Sequence, residues 1–205
     1  MYDRNSPALT PPEGRSLEIL ALVRKAFVEK GFDGASMQDL ARSAGMSVGN
    51  FYRYFPSKDA IIEALVSLDM DQVDFEFATI SGSADPMAAL RHVLAMRIQF
   101  GGCDGDEGVL WAEITAAALR KPRIAEVTAR MERAIVEKLV SIFQLISPDT
   151  SPQALQRLAT EARMLVMLVK ACAMHTTVDA VADADLKARV QRTIDDILKS
   201  LTKDA

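Results

Sequence analysis

Apolar residues recur at three- and four-residue intervals from Leu17 to Leu201, and no stretch of β-branched residues alternates with polar ones. That period belongs to the helix and not to the strand, so the chain is expected to be all-helical, with about nine helices. Punctuation divides the pattern. Leu17, Leu20, Val23 and Phe27 mark the buried stripe of a first helix over about 15–30, and Gly31 follows where a helix end favours a left-handed residue. Ser36 opens a second helix, Asp39 three residues on completes a capping box, and Gly45 closes it. Ser47 caps a third over about 48–54, Pro56 stops it, and Ser57 caps a fourth that begins at Lys58. Beyond it, clusters of Gly, Ser, Asp and Pro and a break at Lys121 and Pro122 separate helices over about 59–79, 87–100, 108–119, 122–146, 153–175 and 185–201.

With 49% hydrophobic and 25% charged residues, the composition is that of a folded globular protein. Residues 1–14, with Pro7, Pro11, Pro12 and Gly14 and no apolar run behind a basic start, read as a flexible tail and not a secretory signal. The apolar run from Met164 to Val169 falls far short of the roughly 18 residues a membrane span needs. A cytoplasmic protein with no membrane partner is expected. Cys103 and Cys172 share no ligand-like spacing and suit a reducing compartment as packing residues. The net charge of −4 conceals an asymmetry: up to Lys58 there are eight Lys/Arg against six Asp/Glu, and afterwards sixteen against twenty-two. The basic excess lies at the N-terminal end, where a polyanion would be met.

The segment from Ser36 to Phe55 carries the chemistry. Leu40, Ala41 and Ala44 on the second helix, Gly45 at the turn and Phe51 on the third have the spacing of two helices crossing closely over a short turn. Ala41 is small where the third helix crosses, and Gly45 supplies the positive φ that a side chain resists. With those residues turned inward, the third helix shows Ser47, Val48, Asn50, Tyr52 and Arg53. These are groove-reading types. Asn pairs with adenine, Arg with guanine, Val meets a thymine methyl, and Ser or Tyr reaches phosphate. Gly49 leaves the backbone free to approach the duplex.

The run Gly31-Phe32, Ser36, Asp39-Leu-Ala and Ala44-Gly-Met-Ser-Val-Gly-Asn-Phe-Tyr-Arg-Tyr-Phe-Pro-Ser-Lys-Asp59 closely resembles the DNA-binding domain of the tetracycline-repressor (TetR) family. The resemblance covers about residues 15–65. It implies a three-helix DNA-binding head over 15–58 and a larger C-terminal helical bundle over 59–205 that binds an effector and dimerises. It implies operator DNA as partner, a homodimer joined through the last two long helices, and a small molecule that releases the DNA. Carried over position by position, it implies DNA contacts from Ser36, Ser47, Val48, Gly49, Asn50, Tyr52, Arg53, Tyr54 and Lys58. Tyr54 stands where the family often has His, and Lys58 would anchor the backbone without reading sequence.

In the C-terminal part, apolar or soft side chains beyond what a single stripe needs are the pocket candidates: Phe75, Phe77, Met96, Phe100, Trp111, Met131, Met164 and Met167. Leu186, Val190, Ile194, Ile197, Leu198 and Leu201 form a stripe that, with the run Leu158 to Cys172, can build half of an intermolecular four-helix bundle. Cys172 and His175 lie one turn apart but lack further ligands, and Asp104, Asp106 and Glu107 lack calcium-loop spacing, so no metal or other cofactor is expected. An enzyme would need a nucleophile with a base or a carboxylate pair, and His92 and His175 have no such partners in the pattern. Two other readings stay open: a helical interaction module without DNA binding, and a ligand-dependent activator in place of a repressor.

Overall fold

The computed structural model describes residues 13–100, 106–146, 149–175 and 180–203. Among them are nine helices and no strand: α1 (Glu13–Lys30), α2 (Met37–Ser43), α3 (Val48–Tyr54), α4 (Lys58–Ser81), α5 (Pro86–Phe100), α6 (Asp106–Ala118), α7 (Pro122–Gln144), α8 (Pro152–Ala173) and α9 (Ala180–Lys203). The expected tail lies largely outside the described residues, as do Cys103 and Asp104. The chain divides into two compact units, one ending at Leu65 and the other beginning at Val66. The boundary expected at Lys58 lies seven residues before that division, and Ile61, Ile62 and Leu65, in the first turns of α4, are buried.

In the first unit the punctuation acts locally. Gly31 ends α1 at φ 72° and donates to the Phe27 carbonyl at 2.8 Å. Gly45 ends α2 at φ 65°. Its N–H bonds the Arg42 carbonyl at 3.0 Å while Met46 N–H bonds Ala41 at 2.9 Å, the paired closure of a Schellman motif. Ile19, Leu20, Val23, Ala26 and Phe27 of α1, Leu40, Ala41 and Ala44 of the second helix and its end, and Phe51 and Phe55 close one core. Phe27 stacks on Phe32 at 5.4 Å, and Phe51 on Phe55 at 5.7 Å. Each such ring contributes about 1.5–3 kcal/mol by burial. Leu17 departs from the expected stripe: it is 47% exposed, and Ile19 takes the inward place. The inward arc of α1 is centred between Ile19 and Val23, which turns position 17 to its edge.

In the second unit a core of Ile80, Leu90, Leu94, Ile98, Leu139, Phe143, Leu158, Leu165, Ile194 and Leu198 joins α4, α5, α7, α8 and α9. Ser151 caps α8 by accepting from Ala154 N–H at 3.2 Å, and Asp85 does the same for Ala88 at 2.9 Å. α7 has no side-chain cap, but Pro122 sits in its first turn, where a missing N–H costs nothing. α9 begins five residues before the expected 185. Its stripe is divided: Ile194, Leu198 and Leu201 are buried within the same chain, so only Leu186 stays largely exposed and Val190 and Ile197 partly so. Cys172 is half-buried, and burial pushes its thiol pKa up, as befits a packing residue.

Candidate nucleic-acid interface and cavity

The geometry of α2 and α3 is set by two caps. Ser36 Oγ accepts from Asp39 N–H at 3.1 Å and donates to Asp39 Oδ2 at 2.5 Å, while Ser36 N–H donates to the same carboxylate at 3.1 Å. Lys30 Nζ adds an ion pair to Asp39 at 2.7 Å. These bonds, that of Lys30 foremost and then those of Ser36, hold the Asp39 carboxyl well below its ordinary pKa. Ser47 Oγ accepts from Asn50 N–H at 3.3 Å and starts α3. With Phe51 buried beneath it, α3 turns Ser47, Val48, Gly49, Asn50, Tyr52 and Arg53 to solvent and leaves Tyr54 half-buried. No acidic residue lies on α3.

Two sequence-derived contacts have their polar groups engaged inside the head. The Ser36 hydroxyl is spent on the capping box. Lys58 Nζ donates to the carbonyls of Phe32 at 2.8 Å and Asp33 at 3.2 Å and lies 5.1 Å from the centre of the Phe32 ring. It thereby ties the start of α4 to the corner between α1 and α2. Seven of the nine sequence-derived contacts therefore sit on α3 or its cap.

The second unit holds a cavity of about 430 Å³, within the usual size range of ligand sites. Phe77, Trp111 and Met131 line it. Phe75, Met96, Met164 and Met167 do not; all four are exposed, Phe75 at 69% and Met167 at 63%. Phe75 stands two residues from Phe77 and Met96 two from Leu94, roughly 200° away around the helix, so neither pair can share one face. Met164 and Met167 share a face of α8, opposite the lining residues Val166, Val169 and Ala173. The Phe100 side chain lies outside the described residues.

Sequence reasoning missed the polar lining because it searched for soft and aromatic side chains. Asp69, Gln72 and Glu76 form a row on α4, and Glu107, Trp111 and Thr115 form another on α6. Polar residues at such helical spacing between apolar neighbours are the signal that was available. Arg97 pairs with Glu76 at 2.6 Å and Lys170 with Glu132 at 3.1 Å. Among the described residues no three His, Cys, Asp or Glu side chains gather as a metal site, and no helix is long and apolar enough to cross a membrane.

Residues 19–65 match the family model for bacterial regulatory proteins of the tetR family. The chain is 38% identical over 81 residues to the HTH-type transcriptional regulator EthR of Mycolicibacterium smegmatis, a match spanning 38% of this chain and 37% of that protein. It is 27% identical over 147 residues to the HTH-type transcriptional regulator UidR of Escherichia coli, spanning 68% of this chain and 73% of the relative. Salmonella enterica GusR superposes with a TM-score of 0.75 at 23% identity, covering 94% of this chain and all (100%) of that one. AibR, solved with isovaleryl coenzyme A and operator DNA, superposes at 0.64 with 18% identity over 88% of this chain and 97% of its own. The capped α2 and α3 and the matched head have one reading: residues 19–65 are a DNA-binding region of the type found in the TetR family of bacterial regulatory proteins, on a chain whose fold those regulators share along nearly its whole length.

Proposed function

We propose that the protein is a homodimeric repressor that holds a palindromic operator through paired α3 helices and releases it when a small molecule fills the cavity. The observation that carries this reading is the exposed, non-acidic face of α3, with Val48, Gly49, Asn50, Tyr52 and Arg53 presented by two caps and one glycine turn. Asn50 and Arg53 are the base readers, Val48 touches a thymine methyl, and Tyr52, Tyr54 and Ser47 reach phosphates. Ser36 and Lys58 serve the interface from inside, as cap and corner tie. A regulator of this kind works on chromosomal DNA, so its proposed location is the bacterial cytoplasm.

The dimer brings two α3 helices to successive major grooves about 34 Å apart, which demands a two-fold symmetric site of matched spacing. Exposed Met164 and Met167 on α8 and Leu186 on α9 support a partner seated on those two helices. Met167, set aside as a cavity residue, gains a role there. Ligand in the cavity favours a state whose α3 helices are misspaced. The coupling needed is about 1–3 kcal/mol and works both ways, so operator DNA must weaken ligand binding by the same factor.

Fluorescence anisotropy on the DNA flanking its own coding region, at two salt concentrations, tests the reading. Saturable binding that falls steeply with salt and disappears in Asn50→Ala/Arg53→Ala is the expected result. Binding of neither that DNA nor selected random operators would favour the interaction module, and binding that needs the ligand would favour an activator.

A further inference from the structure

The charge and shape of the cavity lining bear on what fills it. Its formal charges are four carboxylates, Asp69, Glu76, Glu107 and Glu132, against two cations, Arg97 and Lys170. Both cations are already held by carboxylates of the same lining, Arg97 by Glu76 at 2.6 Å and Lys170 by Glu132 at 3.1 Å. An anionic ligand would have to take a cation from its carboxylate and then lie in a field of net negative charge. The remaining wall is apolar and includes Phe77, Leu94, Met131 and Ile135.

α6 gives this wall a direction. Glu107, Trp111 and Thr115 follow at four-residue steps and form one row along the cavity. Glu107 is exposed and Trp111 half-buried, so the row runs from a carboxylate at the solvent edge to an indole further in. A carboxylate one turn from an indole face is complementary to an ammonium group, which gains Coulomb attraction from the first and cation–π attraction from the second. At the solvent edge that charge keeps part of its hydration while an apolar body fills the interior.

We infer that the cavity takes a compact organic cation, its ammonium held between the Glu107 carboxylate and the Trp111 ring and its apolar body among Phe77, Leu94, Met131 and Ile135. The inference rests on the reading of this cavity as the effector site and names the class of effector.

Trp111 is the single tryptophan of the chain, so intrinsic fluorescence of the intact protein reports on the cavity directly and without DNA. Three probes that share a benzyl group separate charge from the apolar body: benzyltrimethylammonium, its uncharged isostere neopentylbenzene, and the anion 3-phenylpropionate. The cation should change Trp111 emission saturably and bind about tenfold more tightly than either of the others. In Glu107→Gln, whose exposed side chain leaves the fold intact, that preference should fall to the few-fold that the Trp111 ring supplies alone, while the neutral probe binds as before. Equal or tighter binding of the neutral or anionic probe, a preference undiminished by Glu107→Gln, or no response to any of the three overturns the inference. Operator anisotropy with the same probes tests the regulator reading separately. A cation that binds at Trp111 but leaves the operator bound sinks release by the cavity and spares the ligand class. Release by the anion does the reverse.

Discussion

Replacing Gly49 with alanine separates what the head needs for folding from what it needs for DNA. Gly31 and Gly45 adopt positive φ, and a Cβ on Gly34 would stand 2.3 Å from the Lys30 carbonyl oxygen. Gly49 is in neither situation: it lies in the first turn of α3, without positive φ, and a Cβ there would meet nothing within 4 Å. Helices favour alanine over glycine by about 0.5–1 kcal/mol, with the lower end apt for a first turn. Gly49→Ala should therefore raise the melting temperature by about 1–2 °C. On an operator-facing backbone the same methyl overfills the contact, at about 1–3 kcal/mol per head. With two heads in a dimer the loss is about 2–6 kcal/mol, or at least roughly thirtyfold in affinity. Thermal melting and operator anisotropy on one preparation read both signs. A variant that is more stable yet binds operator within about threefold of the native protein would show that the glycine is not there for DNA, and the assignment of this face would fall.

Lys58→Met removes a tie to two carbonyls and should lower stability by about 1–3 kcal/mol, while the slope of log affinity against log salt stays unchanged. A slope reduced by about one per head, measured by titration at several salt concentrations, would return Lys58 to a phosphate contact. Because the folded Asp39 carboxyl titrates below its ordinary value of 3.8, its stabilisation is complete above that pH and is lost as pH falls through the lowered folded value. Urea unfolding of the native protein and Asp39→Asn should then show a gap at pH 7 that closes in acid, and a gap of constant size would refute the Lys30–Asp39–Ser36 network as its source. Met164→Glu/Met167→Glu places charges on an exposed face of α8, so the chain should stay folded yet sediment as a monomer with weakened operator binding. An intact dimer would move the interface elsewhere.

The head was legible because its determinants are local. Ser36 with Asp39, Ser47 with Asn50 and Gly45 with Met46 act within a few residues, so cap and turn can be read from spacing alone. Even there, the phase of α1 was misjudged at Leu17, because one residue of phase is 100° of helix and a stripe three residues wide tolerates the error at its edge. The cavity was only partly legible for a related reason. A cavity is the space that α4 to α8 leave unfilled, and periodicity tells which face of a helix is apolar without telling which neighbour that face meets. Phe77, Trp111 and Met131 were found by side-chain type, and Phe75, Met96, Met164 and Met167 were chosen by the same criterion though each lies on the other side of its helix. The pairs that occupy the cations of the cavity, Glu76 with Arg97 and Glu132 with Lys170, form across different helices at separations of 21 and 38 residues, where spacing within one helix carries no information. What a sequence of this kind discloses is therefore the surface proposed to meet DNA, whose partner is regular and whose geometry is short-range. The two cations of the cavity are neutralised by long-range pairs that only the folded chain brings together, and it is that pairing which leaves the Glu107–Trp111 row to set its specificity.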